Sequence, residues 1–259
     1  MTLVAGGAAQ ASPERAGPKI KAPAAIVVDA TTGKVIYAKR PHMRRPIAST
    51  TKIMTALVAM ERLRPNDVVV VPRKATRVED YREGLKAGEH VPVWKLYYGL
   101  LLASGNDTAV TLAVAAAGSL ERFFVLMNDK ARALRLRHTR FRSASGLVDE
   151  GNYSTVHDLA QLARHALKNR RFRSIVATKV KRVWWRPPTK GKLYENHNKL
   201  LWRYPGANGV KTGWTRAAGP CLVASATRHG IRLISVVLDS PDHYGDTRRL
   251  LDYGFRRRG

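Results

Sequence analysis

Apolar residues recur at 53, 56, 57 and 60 within the stretch 47–60, the spacing of a helix with one buried face. Pro46 precedes this stretch and Pro65 follows it, which places both prolines where helix boundaries belong. Upstream, the apolar runs 24–30 and 34–38 flank Thr31-Thr32-Gly33 and predict a β-hairpin. Residues 68–72 are β-branched and short, a minor strand, whereas 73–91 are polar, carry Gly84 and Gly88, and read as loop. Helical patterns occupy 94–103, 107–117 and 120–136, separated by Ser104-Gly105 and Gly118-Ser119. Another covers 156–167, with Ser154 and Thr155 as candidate caps. From about 175 the pattern turns to strands at 180–185, 192–195, 210–215, 221–227 and 232–238, with a turn-rich connection at 186–191. A closing helix at 246–255 carries Leu250, Leu251 and Phe255 toward the sheet. Strands at both ends with helices between predict an α/β (α+β) fold: one antiparallel sheet whose first and last strands pair, plus an all-helical lobe.

Composition narrows the partners more than the fold. The 259 residues are 44% apolar, enough for a sizeable core in one large or two small domains. No apolar run reaches 18 residues. Cys221 is the single cysteine, which excludes an internal disulfide; it reads as a small buried residue in an apolar strand. The net charge is +27. Its arginines are scattered, with no basic helix, zinc-finger spacing or RNA-binding aromatic motif, so no specific nucleic acid is expected. Attraction to an anionic membrane or wall polymer is the expected consequence. Residues 2–9 are small and apolar, and Ala9-Gln10-Ala11 reads as an A-x-A cleavage site. Residues 1–22 are therefore expected to be a leader or partial signal segment, disordered, and 257–259 a basic tail. His157 and His165 stand eight apart without a third ligand, so neither a metal nor a cofactor is expected.

The chemistry begins at Ser49 and Lys52, three apart and on one face of the predicted helix. A serine hydroxyl becomes a nucleophile when a base takes its proton, and a lysine kept neutral by burial can be that base. A capping serine and an exposed lysine would give the same letters. Two more stretches change the balance: Ser104-Gly105-Asn106 after an apolar run, and Lys211-Thr212-Gly213 after Gly209-Val210. S-x-x-K, an S-x-N triplet and K-T-G, in this order and at spacings of about 50 and about 105 residues, form the known signature of penicillin-binding proteins and class A β-lactamases.

The chain resembles the serine D-alanyl-D-alanine carboxypeptidases, the low-molecular-weight penicillin-binding proteins of the S11 peptidase type. The likeness lies in residues 48–55 and 100–107, in Ser145-Gly146-Leu147 with Tyr153-Ser154-Thr155, in 196–201, and in 206–214 and 222–226. It implies the penicillin-recognising serine transferase fold, with a catalytic domain over 23–256 and a helical lobe at about 49–170 inserted in the sheet lobe. It also implies an extracytoplasmic enzyme that removes the terminal D-alanine from peptidoglycan stem peptides ending in D-Ala-D-Ala, and that is acylated by β-lactam antibiotics. Ser49 is then the nucleophile and Lys52 its base. Ser104 relays a proton to the leaving amine, and Asn106 holds the peptide amide and orients Lys52. Lys211, Thr212 and Gly213 bind the substrate, while the backbone N–H groups of Ser49 and Trp214 form the oxyanion hole. His197 stands where some relatives carry a carboxylate-binding arginine, Trp214 either shapes the pocket or packs, and Glu83-Gly84-Leu85 is a candidate gate. A DD-endopeptidase, a class A β-lactamase and a catalytically silent wall-binding protein remain as alternatives. The β-lactamase would need a glutamate-positioned water, and neither Glu150 nor Glu195 sits in a fitting motif.

Overall fold

Strand β1 (Ala24–Asp29) is buried along its whole length, and the alternation of its side chains explains why. Ala24, Ile26 and Val28 enter the core shared with the helices, while Ala25 and Val27 face the other way, among Leu250 and Leu251. A strand covered on both faces reads as one continuous apolar run. The computed structural model describes residues 17–147, 151–184 and 191–258. β2 (Val35–Lys39) completes the predicted hairpin, and Asp29 Oδ1 fixes its turn by accepting from the N–H groups of Thr31 and Thr32. Short strands β3 (Arg45–Pro46), β4 (Val68–Val70), β5 (His90–Pro92), β6 (Tyr153–Ser154), β7 (Val180–Val183) and β8 (Lys192–Glu195) pair as β3–β6, β4–β5 and β7–β8. β9 (Ala207–Gly213), β10 (Cys221–Arg228) and β11 (Ile231–Leu238) form an antiparallel meander. The main sheet runs β2-β1-β11-β10-β9. Its first strand pairs with its last, Ile26 opposite Val236, as the pattern predicts.

Helices α1 (Lys52–Arg62), α2 (Val93–Tyr98), α3 (Asn106–Ala117), α4 (Leu120–Ala133) and α5 (Val156–Ala166) build the helical lobe. α1 packs against α3, α4 and α5, and every residue from Lys52 to Ala59 is buried, so it is the axis of the lobe. Of the two candidate caps, Thr155 is the one used, its Oγ1 accepting from Asp158 N; at the start of α4, Ser119 Oγ accepts from Arg122 N in the same way. α5 lies against β1 and β11, and α6 (Arg170–Ala177) lies against β9. After the short α7 (Leu200–Arg203), α8 (His243–Arg258) covers the opposite face of the sheet on β1, β10 and β11.

Three expectations need correction. α6 is absent from the sequence reading, which turns to strands near 175, although Asn169 Oδ1 accepts from Arg171 N and Phe172 N and Phe172, Ile175 and Val176 are buried at helical spacing. The basic tail is not separate: α8 continues through Arg258, whose guanidinium pairs with buried Asp29 at 2.7 Å, and Arg257 stacks over Tyr253. Residues 17–22 are not disordered either. Lys21 N and Ala22 N donate to the carboxylate of Asp246 at 3.0 and 2.7 Å, and Ala22 is fully buried. Ala9-Gln10-Ala11, Glu150, Gly259 and the connection at 186–190 lie outside the described residues. No single helix among the described residues is long and apolar enough to cross a membrane.

Candidate active site

The site starts in the tight turn Ala48–Thr51 that leads into α1. Thr50 donates through its N–H and its hydroxyl to Ile47 O, at 3.1 and 2.6 Å, and Ala48 takes a left-handed φ of 45°. A non-glycine residue persists there only where its surroundings over-determine it. Part of that surrounding is Gly146, itself at φ +82°, where an added Cβ would stand 1.9 Å from Ala48 O. The turn leaves Ser49 partly exposed at the floor of a cleft and Lys52, three residues on, fully buried.

Lys52 Nζ lies 2.8 Å from each of three oxygens: Ser49 Oγ, Asn106 Oδ1 and the carbonyl of Ser145. A neutral amine has two N–H donors and one lone pair. The two carbonyl-type oxygens can only accept, so they take the two hydrogens, and the lone pair is left facing the Ser49 hydroxyl. Burial holds the ammonium of Lys52 well below the ordinary lysine range; the charge of Lys211 lowers it further, and Asp107 opposes both. The geometry and the electrostatics thus agree on a neutral lysine poised to take the serine's proton.

Ser104 closes a π-helical turn, Gly99–Ala103, in a left-handed conformation with φ 66°. That conformation brings its hydroxyl into the cleft with Ser49, without a hydrogen-bond partner among the described residues. Asn106 opens α3, and its amide is used twice: Oδ1 receives Lys52, while Nδ2 donates to the carbonyls of Glu79 and Asp80 at 3.2 Å. Its orienting role is therefore built, whereas the N–H group expected to hold a peptide amide is engaged by the neighbouring loop. Lys211 is buried, donates to Thr212 O at 3.1 Å, and is brought down to about 7 by burial. Thr212, Gly213 and Trp214 line the cleft beside Ser49. An added Cβ at Gly213 would stand 3.0 Å from Ser49 N and 3.1 Å from Ile47 O, so a side chain there would press on the N–H assigned to the oxyanion hole.

The D-alanyl-D-alanine carboxypeptidase profile (peptidase S11) matches residues 9–242. The chain belongs to this family. Over 245 residues it is 36% identical to D-alanyl-D-alanine carboxypeptidase DacF of Bacillus subtilis, covering 91% of this chain and 62% of that protein. It is 37% identical over 278 residues to the D-alanyl-D-alanine carboxypeptidase of Streptomyces sp. strain K15, covering 98% of this chain and 94% of that one. The crystal structure of the Streptomyces K15 DD-transpeptidase superposes with a TM-score of 0.85 at 34% identity, covering 93% of this chain and 99% of that one. The penicillin-binding fold expected from the motifs is thus the fold observed.

The cleft holds about 270 Å³ and is lined on its other sides by Tyr81, His197, Pro220, His243 and Tyr244. Tyr244 Oη donates to His197 O and accepts from Lys199 N, both at 3.1 Å, and so fixes the turn that carries His197. Desolvation first, then Lys211 and Lys199, hold the His197 imidazole below the ordinary histidine range. Trp214 is 59% exposed and lines the cleft. Glu83 is anchored rather than gate-like: its side chain is 6% exposed and pairs with Lys192 at 2.8 Å. Tyr81, His243 and Tyr244 are absent from the sequence reading; nothing in their local pattern marks them, because only tertiary packing brings them to the cleft.

Proposed function

We infer that this chain is an extracytoplasmic serine DD-carboxypeptidase acting on peptidoglycan stem peptides that end in D-Ala-D-Ala. The observation that carries the reading is the lone pair of Lys52 directed at Ser49 by two fixed carbonyl acceptors. Ser49 Oγ attacks the carbonyl carbon of the penultimate D-alanine while Lys52 takes its proton. The negative oxygen that develops is met by the N–H groups of Ser49 and Trp214, donors of a kind whose individual loss costs about 10²–10³ in rate. The C–N bond then breaks, the departing D-alanine amine gains a proton through Ser104, and an ester remains on Ser49. Water hydrolyses that ester with Lys52 again as base. Lys211 and Thr212 receive the terminal carboxylate, and the extended peptide runs along the outer edge of β9.

The same attack opens the four-membered amide of a β-lactam, but the leaving nitrogen stays tethered and the ester persists. No carboxylate lines the cleft among the described residues, and Glu195 is paired with Lys199 at the surface, which argues against the glutamate-activated water of a class A β-lactamase. An intact nucleophile–base pair argues against a silent binding protein. The net charge of +27 supports attraction to anionic lipid head groups or wall polymers, a setting consistent with an envelope enzyme. The test is D-alanine release from an acylated tripeptide ending in D-Ala-D-Ala, run beside a cross-linked peptide dimer. Release from the tripeptide, abolished by Ser49→Ala, is expected. Cleavage of the dimer alone would make the protein an endopeptidase.

A further inference from the structure

Asp107 is buried, does not line the cleft, and carries a carboxylate that no step of the reaction uses. Four backbone N–H groups converge on it. Oδ1 accepts from Glu83 N at 2.9 Å and Thr108 N at 2.8 Å, and Oδ2 from Gly84 N and Leu85 N at 2.9 and 3.2 Å. Two oxygens that only accept suit these four donors, whereas an amide in the same place would aim its own N–H groups at two of them. Three of the donors belong to the loop at residues 79–85, so the carboxylate ties that loop to the first turn of α3. The preceding residue grips the loop by its carbonyls: Asn106 N donates to Tyr81 O at 2.9 Å, and Asn106 Nδ2 donates to Glu79 O and Asp80 O at 3.2 Å. Loop and helix start are in close contact. A Cβ added at Gly105 would stand 2.6 Å from Glu83 Cγ and 3.1 Å from Asp107 Oδ1.

The loop carbonyls decide which way the Asn106 amide faces. A carbonyl only accepts, so Nδ2 points at the loop and Oδ1 at Lys52 Nζ, 2.8 Å away. Turned over, the amide would offer Lys52 an N–H, and the lone pair now directed at the Ser49 hydroxyl would be taken up there. We propose that Asp107 is a positioning residue for the base: by fixing the loop it fixes the Asn106 amide, and through it the direction of the Lys52 lone pair. The inference rests on the reading of Lys52 as the base of a DD-carboxypeptidase. The charge of Asp107 has a second, separable effect. Burial and the charge of Lys211 from β9 lower the Lys52 ammonium, and Asp107 opposes them. His197 is also within electrostatic reach of Lys52. Asp107 itself interacts with Glu83, whose carboxylate pairs with Lys192 at 2.8 Å, and with the Tyr194 hydroxyl.

The experiment follows acylation of Asp107→Asn by benzylpenicillin across a pH series, with the rate taken over the chains that acylate by the end point. The limiting rate should fall by about 10²-fold, the cost of displacing a reacting group by about 1 Å. Without the opposing carboxylate, Lys52 is neutral at lower pH, so the rising limb of the profile should move to lower pH. Asp107→Glu keeps the charge and shifts it by one methylene; its limiting rate should fall while the limb stays in place. A native limiting rate in either variant, once folded, overturns the proposal. So does a slower Asp107→Asn whose limb has not moved, which is what a merely loosened fold would give. If neither variant folds, the carboxylate serves the fold alone and the proposal fails as well. Absence of any ester on the native protein would instead remove the reading of the site itself, and this inference with it.

Discussion

Lys211 and Lys52 are both fully buried in one site, and the charge of Lys211 acts on Lys52 in the same direction as burial. Burial alone brings Lys211 to about 7, while Lys52 bears burial and repulsion together. Acylation needs Lys52 neutral, and carboxylate recognition needs Lys211 charged. For a D-Ala-D-Ala peptide, kcat/KM should rise with pH through the lowered pKa of Lys52, then fall near 7 as the free protein loses the Lys211 proton. Lys211→Met should lower kcat/KM by roughly 10–100-fold, the worth of a hydrogen bond to a charged group. It should also erase the falling limb and move the rising limb to higher pH. A falling limb that survives in Lys211→Met would assign it to another group.

The same burial carries a stability cost with a defined pH window. An unfolded lysine titrates near 10.4, and Lys211 in the fold near 7. Between those values the unfolded chain binds the extra proton, so stability rises with pH across the window. It is fully recovered above about 10.4 and is lost progressively down to about 7. Lys211→Met should therefore stabilise the protein at pH 7 by a few kcal/mol, a rise in Tm of roughly 5–10 °C. Calorimetry near pH 10 should show most of that gain gone. A gain of equal size at both pH values would mean that packing, not charge burial, is responsible.

The catalytic spacing was legible because S-x-x-K shares a helix face, because Ser104-Gly105-Asn106 follows an apolar run and because Lys211-Thr212-Gly213 stands in a strand-like segment. The sheet was legible from local pattern too: β1 is apolar from Ala24 to Val28, and β11 is apolar apart from Arg232 and Ser235. The three oxygens around Lys52 were only partly legible, since the carbonyl of Ser145 arrives from 93 residues away in a segment without regular structure. Tyr81 and His243 belong to that class as well. The missed α6 is different: Asn169 and the spacing of Phe172, Ile175 and Val176 were available locally, and the run Arg170-Arg171-Phe172-Arg173 masked them. Arg258 looked like a free tail charge until the fold placed it against Asp29.

Two glycines with nearly the same φ allow a controlled comparison. Gly146 at φ +82° faces Ala48 O, 1.9 Å from where a Cβ would stand, whereas Gly88 at φ +81° faces open space. Gly88→Ala should cost about 1 kcal/mol for its left-handed backbone and leave acylation intact. Gly146→Ala must shift the turn that presents Ser49, and a misplacement of about 1 Å should slow benzylpenicillin acylation by about 10². Equal acylation rates in the two variants would mean the turn at Ala48 is not what positions the nucleophile.

The arginines at the end of α8 divide by contact. Arg258→Ala unpairs Asp29, whose side chain is 3% exposed, and should lower Tm by a few °C. Arg256→Gln should leave Tm unchanged. Binding to isolated cell walls, if it comes from the net charge, should weaken as salt shortens the screening length below about 8 Å. Turnover of a small soluble peptide should not follow that salt dependence. Co-sedimentation and D-alanine release measured across one salt series check this, and parallel loss of both would tie the basic surface to the cleft instead.

Intact-protein mass spectrometry with benzylpenicillin reads the covalent ester on Ser49 formed with Lys52 as base. One antibiotic per chain is expected, located by peptide mapping on Ser49 and persisting far longer than the acylation takes. No adduct is expected in Ser49→Ala, and acylation should be slowed by at least about 10³-fold in Lys52→Arg, whose guanidinium stays protonated. An adduct on any other residue, or near-normal acylation of Lys52→Arg, would contradict these roles.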